Sequence, residues 1–179
     1  MKNIIYSCQF TDASGYASAA RKYLYMLDKF LDKEKYNLRI YNSSYEGRIN
    51  CSEEDLQLLK KYELKNEDVE SFINTNQYDV IFHLLPWDAF LLQDKKYLNK
   101  KIYNNGNKKI SIFYWEADRI PEVWRQIFSV NKYDKVIAGC EWNKLIFSKD
   151  INIPVEIIPI PFKEKNIVKK KNQTFNIKK

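Results

Sequence analysis

Short apolar runs alternate along the chain with segments whose apolar residues recur every three or four positions. That alternation predicts strands separated by helices, the arrangement of a parallel α/β sheet. The first run covers residues 3–8, and TDASGY after it carries turn residues, with Ser14 or Asp12 placed to cap a helix. Ala17, Ala20, Leu24, Leu27 and Leu31 then fall at steps of three and four, on one face of an amphipathic helix. A second strand fits residues 37–41. Shorter helices fit 53–62 and 66–76, the first opened by Ser52 with Glu53, Glu54 and Asp55 favourably placed against the helix dipole.

Further on, YDVIFHLLP (78–86) is a continuous apolar run closed by Pro86, as suits a strand buried on both faces. Residues 88–103 read as helix, and KKISIFYWEAD (108–118) as another buried strand. Pro121 opens the helix PEVWRQIFSV. DKVIAG (134–139) is a strand passing directly into the helix CEWNKLIFSKD. VEIIPIP (155–161) is a last strand whose two prolines put its end at an edge or outside the sheet. About six strands and five or six helices without internal repeat predict a doubly wound, Rossmann-like parallel sheet. Ligands of such sheets sit beyond the carboxyl ends of the strands, so the strand-to-helix loops are the places to search.

Composition narrows the classes. The 179 residues suit one domain, and 45% hydrophobic with 15% aromatic residues is enough for a core and too much for a disordered chain. No apolar run approaches the roughly 18 residues of a membrane span. The start, MKNIIYSCQF, lacks the apolar region and small-residue cleavage site of a secretory signal. Cys8, Cys51 and Cys140 are odd in number and far apart, which argues against a disulfide framework or a structural zinc site and for a reducing, cytoplasmic setting. The net charge is +7, but residues 163–179 alone carry +6, leaving +1 on residues 1–162. The basic excess therefore reads as a solvated tail or linker, not as a nucleic-acid-binding face.

Four loops carry candidate chemistry. In the first, a lone Gly15 between Ser14 and Tyr16 either lets the backbone approach an anion at a helix N-terminus or supplies a positive φ for a tight turn. It matches neither GxGxxG nor GxxxxGK[ST]. In the second, His83, the only histidine, ends a buried strand before Pro86, Trp87 and Asp88. It is either a satisfied core residue or a functional one. The third holds Trp115, Glu116, Asp118 and Arg119 within five residues. Carboxylates there can orient sugar hydroxyls or act as a base, and Trp115 offers a platform for a sugar ring. Arg119 can neutralise a phosphate or pair with Asp118. The bland reading makes this a charged helix start with a surface pair. The fourth is the turn Gly139–Cys140, where Gly139 supplies a tight turn and Cys140 is expected to be a small buried thiol.

The stretches SGYASAARKYL, YWEADRIPEVW and YDKVIAGCEWNKLIFSKDINIPVEIIPIPF, in this order, resemble the N-terminal half of a GT-B glycosyltransferase of the retaining, family-4-like kind. The resemblance spans about residues 3–162 and is most specific over 113–162. It implies that residues 1–162 form an N-terminal, acceptor-side domain and that 163–179 are a Lys-rich linker or the start of a C-terminal donor domain. It implies sugar transfer from a nucleotide-sugar co-substrate to a glycan or lipid-linked acceptor, without an obligatory metal or other cofactor. Glu116, Asp118 and Arg119 are then the expected catalytic residues. Ser14, Gly15, Tyr16, His83, Trp87 and Trp115 are the expected substrate-binding ones, with Gly15 approaching the donor diphosphate. The chain departs from the family pattern where many members carry a histidine, having Trp115 and Glu116 there. The glutamate-rich donor motif does not occur in these residues, so catalysis is expected to need a second domain or a partner chain.

Residues 89–109 carry six Lys and one Asp interleaved with Leu91, Leu92, Tyr97, Leu98, Ile102 and Tyr103. Either this segment rests on the inner face of an anionic membrane and collects a lipid-linked acceptor, or it is an ordinary solvated helix. The alternative to an enzyme is a non-catalytic Rossmann-like binding module or partner subunit. A nucleic-acid partner is not expected, because no recognition motif or regularly spaced stacking platform is present.

Overall fold

Successive side chains of a strand point to opposite faces, and β1 (Lys2–Cys8) buries Ile5 and Ser7 on one and Tyr6 and Cys8 on the other, so this strand is covered on both sides. The structure, a computed structural model, describes residues 1–44, 49–85, 95–130 and 132–162. It places β1 inside a six-stranded parallel sheet with β2 (Tyr36–Asn42), β3 (Tyr78–His83), β4 (Lys109–Ile112), β5 (Lys135–Ala138) and β6 (Val155–Ile157). The order is β2-β1-β3-β4-β5-β6. Among the described residues six helices connect the strands: α1 (Gly15–Phe30), α2 (Glu53–Tyr62), α3 (Asn66–Thr75), α4 (Lys95–Asn105), α5 (Glu122–Val130) and α6 (Glu141–Asp150).

Tyr6, Cys8, Leu38 and Ile40 pack on one face with Ala20 and Leu24 of α1 and Leu59 of α2. Ile5, Val80, Phe82 and Val136 pack on the other with Val69, Ile73, Ile102, Phe128 and Phe147 from α3 to α6. Helices on both faces of an all-parallel sheet make this a Rossmann-like, doubly wound fold. The strand order reverses between β1 and β3, whose connections leave over opposite faces. Cys8 lies level with both Asn42 and His83, so the loops beyond β1, β2 and β3 emerge along one edge.

Outside β2, the Leu64 amide donates to Ile40 O at 2.7 Å, and Ile40 and Glu63 form a single parallel bridge. A dinucleotide-binding sheet has a full strand in that place. Here one bridge between α2 and α3 fills it.

Three strands are shorter than their apolar patterns predict, the first being β3, expected over 78–86, which ends at His83. The strand expected over 108–118 ends at Ile112, because the backbone of Tyr114 turns to a side chain of α1 instead of a neighbouring strand. The strand expected over 155–161 ends at Ile157. Ile158 still donates to Ala138 O, but Pro159 and Pro161 have no N–H to continue a ladder. The expected helix over 88–103 is described from Lys95 onward, and residues 86–94 lie outside the description, as do 163–179.

Within the Lys-rich segment, Ile102 and Tyr103 are buried and Leu98 packs on the core, with Tyr78 Oη donating to Ile102 O at 2.8 Å. Lys100 is exposed, and Lys101 pairs with Glu70 at 2.6 Å. These apolar side chains serve the sheet, which is the behaviour of an ordinary amphipathic surface helix. Leu91 and Leu92 lie outside the described residues. Among the described residues, no helix is long and apolar enough to cross a membrane.

Helices α1 and α2 are joined on the surface through Asp28, which accepts from Lys61 Nζ at 2.6 Å, Lys33 Nζ at 3.2 Å and the Tyr62 hydroxyl. Partial burial works against the carboxylate, but the bonds from Lys61, Tyr62 and Lys33 outweigh it and hold its pKa down at about 2. The folded value lies below the ordinary 3.8, so this network stabilises fully above that value and is lost as pH falls through about 2. Asp28→Asn is expected to cost about 1 kcal/mol at neutral pH, a figure reduced for solvent screening. Urea titrations at neutral pH and near the folded value measure both: the variant and the wild type should converge in acid.

Candidate functional site

The chain leaves β1 through a turn whose backbone is held by side chains. The Phe10 amide donates to Asn42 Oδ1 at 3.0 Å and the Thr11 amide to Ser44 Oγ at 2.9 Å. Arg21 Nη1, one and a half turns into α1, reaches back to Phe10 O at 2.7 Å and Asp12 O at 3.2 Å. Residues 9–12 are buried, and the chain surfaces at Ala13, Ser14 and Gly15. Ser14 caps α1, its Oγ accepting from the Ala17 amide at 3.1 Å. Gly15 is the first residue of the helix, and a Cβ there would meet nothing within 4 Å. Its backbone is not left-handed, so the tight-turn reading is corrected: neither φ nor packing calls for glycine. What Gly15 provides is bare backbone at the positive end of a 16-residue helix, the setting in which amides receive an anion.

Tyr16 and Tyr23 lie seven residues apart on α1, hence on the same side of the helix. That side meets His83 at the end of β3. His83 is fully buried, with the rings of Tyr6, Tyr16, Tyr23 and Tyr114 at centroid distances of 5.9, 5.7, 5.6 and 5.4 Å. Its Nδ1 shares a 2.5 Å hydrogen bond with the Tyr6 hydroxyl. Burial lowers the imidazole pKa to about 3, so the ring is neutral throughout the ordinary pH range. The expectation that His83 binds substrate is corrected on position: it lies beneath the tyrosines and exposes no surface.

Tyr16 also settles the exit of β4. Its hydroxyl donates to Tyr114 O at 2.7 Å and accepts from the Tyr114 amide at 3.0 Å, replacing the neighbour strand for that residue. Trp115 stands edge-on to Trp124 at 4.5 Å, and its Nε1 donates to Arg119 O at 2.7 Å. Asn143 Nδ2 donates to Trp115 O, and the Ile120 amide donates to Asp150 Oδ2 at 2.9 Å. Helix α6 thus clamps both ends of the 115–120 loop. At Gly139 an added Cβ would come within 2.7 Å of the Tyr114 ring. Glycine there is required by that contact, not by a special turn. Cys140 is exposed at the start of α6, against the expected buried thiol.

These contacts enclose a cleft of about 420 Å³ lined by Tyr16, Leu85, Tyr114, Trp115, Glu116 and Ala117. Of the residues expected in a site, Tyr16, Trp115 and Glu116 line it, and Ser14 and Gly15 directly precede Tyr16. Asp118 and Arg119 stand beside it in solvent, 77% and 81% exposed, with a loose ion pair of 3.9 Å. That is the surface pair of the bland reading. Trp87 lies outside the described residues. Tyr114 and Leu85 are wall residues that sequence reasoning passed over. The seven-residue spacing of Tyr16 and Tyr23 was visible, but it is equally the spacing of core residues. Among the described residues, no three His, Cys, Asp or Glu side chains come together to hold a metal ion.

Compared with known proteins, the sequence matches no family model and no curated protein.

Two measurements test this geometry. The single histidine Cε1–H resonance should stay fixed from about pH 8 to pH 5, where an ordinary imidazole titrates. The folded pKa lies below the unfolded one, so stability should fall as pH drops below about 6.5, by up to about 1.4 kcal/mol per unit. In the second, Gly139→Ala should cost about 1–3 kcal/mol through the Tyr114 contact. Gly15→Ala, at an unobstructed helical position, should leave the melting temperature unchanged or raised.

Proposed function

We propose that this domain is the acceptor-side half of a sugar transferase that draws on a nucleotide-sugar. A doubly wound sheet hosts many functions, so the fold alone does not carry this reading. The observation that carries it is a juxtaposition at the sheet edge where the strand order reverses. A glycine-bared helix N-terminus at Ser14–Gly15 runs directly into an aromatic cleft bearing one carboxylate, Glu116. The first feature suits the diphosphate of a nucleotide-sugar, whose negative charge grows as the sugar departs. The second suits a sugar ring, with apolar faces against Tyr114 and Trp115 and hydroxyls toward a carboxylate.

In this reading Glu116 orients the acceptor hydroxyl and takes its proton as the new glycosidic bond forms. Arg119, held only loosely by Asp118, swings to the leaving diphosphate. A second domain or partner chain holds the nucleotide. The resemblance to GT-B enzymes over residues 3–162 supports the same assignment.

The complete gene product, assayed with a panel of nucleotide-sugars and glycan acceptors, tests it. Glu116→Gln should lower turnover about a hundredfold and Arg119→Ala about tenfold, with unchanged melting temperatures. Wild-type turnover in both variants would remove the loop from the mechanism. Nucleotide-sugar binding without transfer to any acceptor would make the domain a binding module.

A further inference from the structure

Resting on the reading of the cleft as a sugar seat, we infer that the ring it takes carries a protonated amine: the ligand class is an amino sugar. The charge balance of the walls leads there. Among the described lining residues, Tyr16, Tyr114 and Trp115 are aromatic, Leu85 and Ala117 are aliphatic, and Glu116 alone carries a charge at neutral pH. Glu116 is exposed and has no ion-pair partner among the described residues. The neighbouring guanidinium, Arg119, is not a wall residue and lies against Asp118. Arg21, on α1, is committed to Phe10 O and Asp12 O and faces Asp55 at 3.9 Å. Beneath the floor, His83 is neutral and contributes no positive charge.

An anionic ring therefore finds a carboxylate and, among the described wall residues, no cation to offset it. A neutral ring finds apolar faces and a carboxylate that accepts from its hydroxyls, but it carries no opposite charge to pair with Glu116 before the transfer begins. An ammonium on the ring uses both features. It pairs with the carboxylate, and it is attracted to the electron-rich faces of the three aromatic rings. Neither interaction is large at a half-open site, so the preference is modest. A phosphate is excluded from this cleft and sent to the α1 N-terminus beside it, which separates the seat of the ring from the seat of the diphosphate.

Isothermal titration of the full chain with the methyl glycosides of glucosamine, glucose and glucuronic acid, at mildly acidic pH, decides the matter. The amino ring should bind roughly tenfold tighter than the neutral one, and the carboxylate ring more weakly than either. Added salt should narrow the gap. Glu116→Gln should bring the amino ring down to the affinity of the neutral ring, with the melting temperature confirming that the fold persists. Equal affinity of the amino and neutral rings in the wild type, or a preference for the carboxylate ring, overturns the amino-sugar inference while leaving the sugar seat standing. If none of the three rings binds, both readings fall.

Discussion

The site rests on one hydroxyl. Tyr16 Oη gives its proton to Tyr114 O and accepts the Tyr114 amide, so a single side chain satisfies both backbone groups of the residue where the β4 pairing stops. Without it, two peptide groups at the edge of the core would need other partners, at a cost comparable to that of lost hydrogen bonds. The same bond fixes where the N-terminus of α1 stands against the 113–120 loop. Ser14 and Gly15 on one side, and Trp115 and Glu116 on the other, take their positions from it. Around that bond the packing allows little variation. The Tyr114 ring lies so close to Gly139 that the turn after β5 admits no side chain there, and four aromatic rings surround an imidazole too buried to charge.

Much of the fold could be read from periodicity because its two faces follow different rules. The α1 stripe of Ala17, Ala20 and Leu24 has a polar side to contrast with, whereas YDVIFH holds apolar residues in both alternating sets, so helix and doubly buried strand stood apart. The errors fall where an apolar run continues after the pairing ends. Phe113, Tyr114 and Trp115 are as strand-like as Ile110–Ile112, yet only the latter reach a neighbouring strand throughout. Tertiary contacts with Phe147, Tyr16 and Trp124 use the rest. Composition does not reveal which of two adjacent aromatics turns to a strand and which to a helix.

The candidate site was legible by place more than by role. The strand-to-helix loops do emerge along one edge of the sheet, and the 115–119 loop borders a cleft there. It did not show that His83 lies under the floor, because a buried histidine and a catalytic one occupy the same position at the end of β3. Nor did it separate Glu116, which faces the cleft, from Asp118 two residues on, which faces water beside Arg119. That distinction depends on how Trp115 is turned, and Trp115 is turned by Arg119 O within the motif and by Trp124 and Asn143 outside it.

Tyr23, the partner of Tyr16 one heptad along α1, donates its hydroxyl to Ile158 O at 2.6 Å, just where the chain has left β6. Ile160 packs on the same core face as α1, and Lys22 Nζ stands 5.8 Å from the centre of the Phe162 ring. Beyond the Ile158 amide, which still bonds Ala138 O, the segment over 158–162 is thus lashed to α1. Seven helical residues make a stiff rod of about 10 Å. One end of that rod carries the departing chain, and the other forms a wall of the cleft. A tug on the segment is therefore felt at Tyr16 as a displacement of helix against sheet, with no loop in between to absorb it.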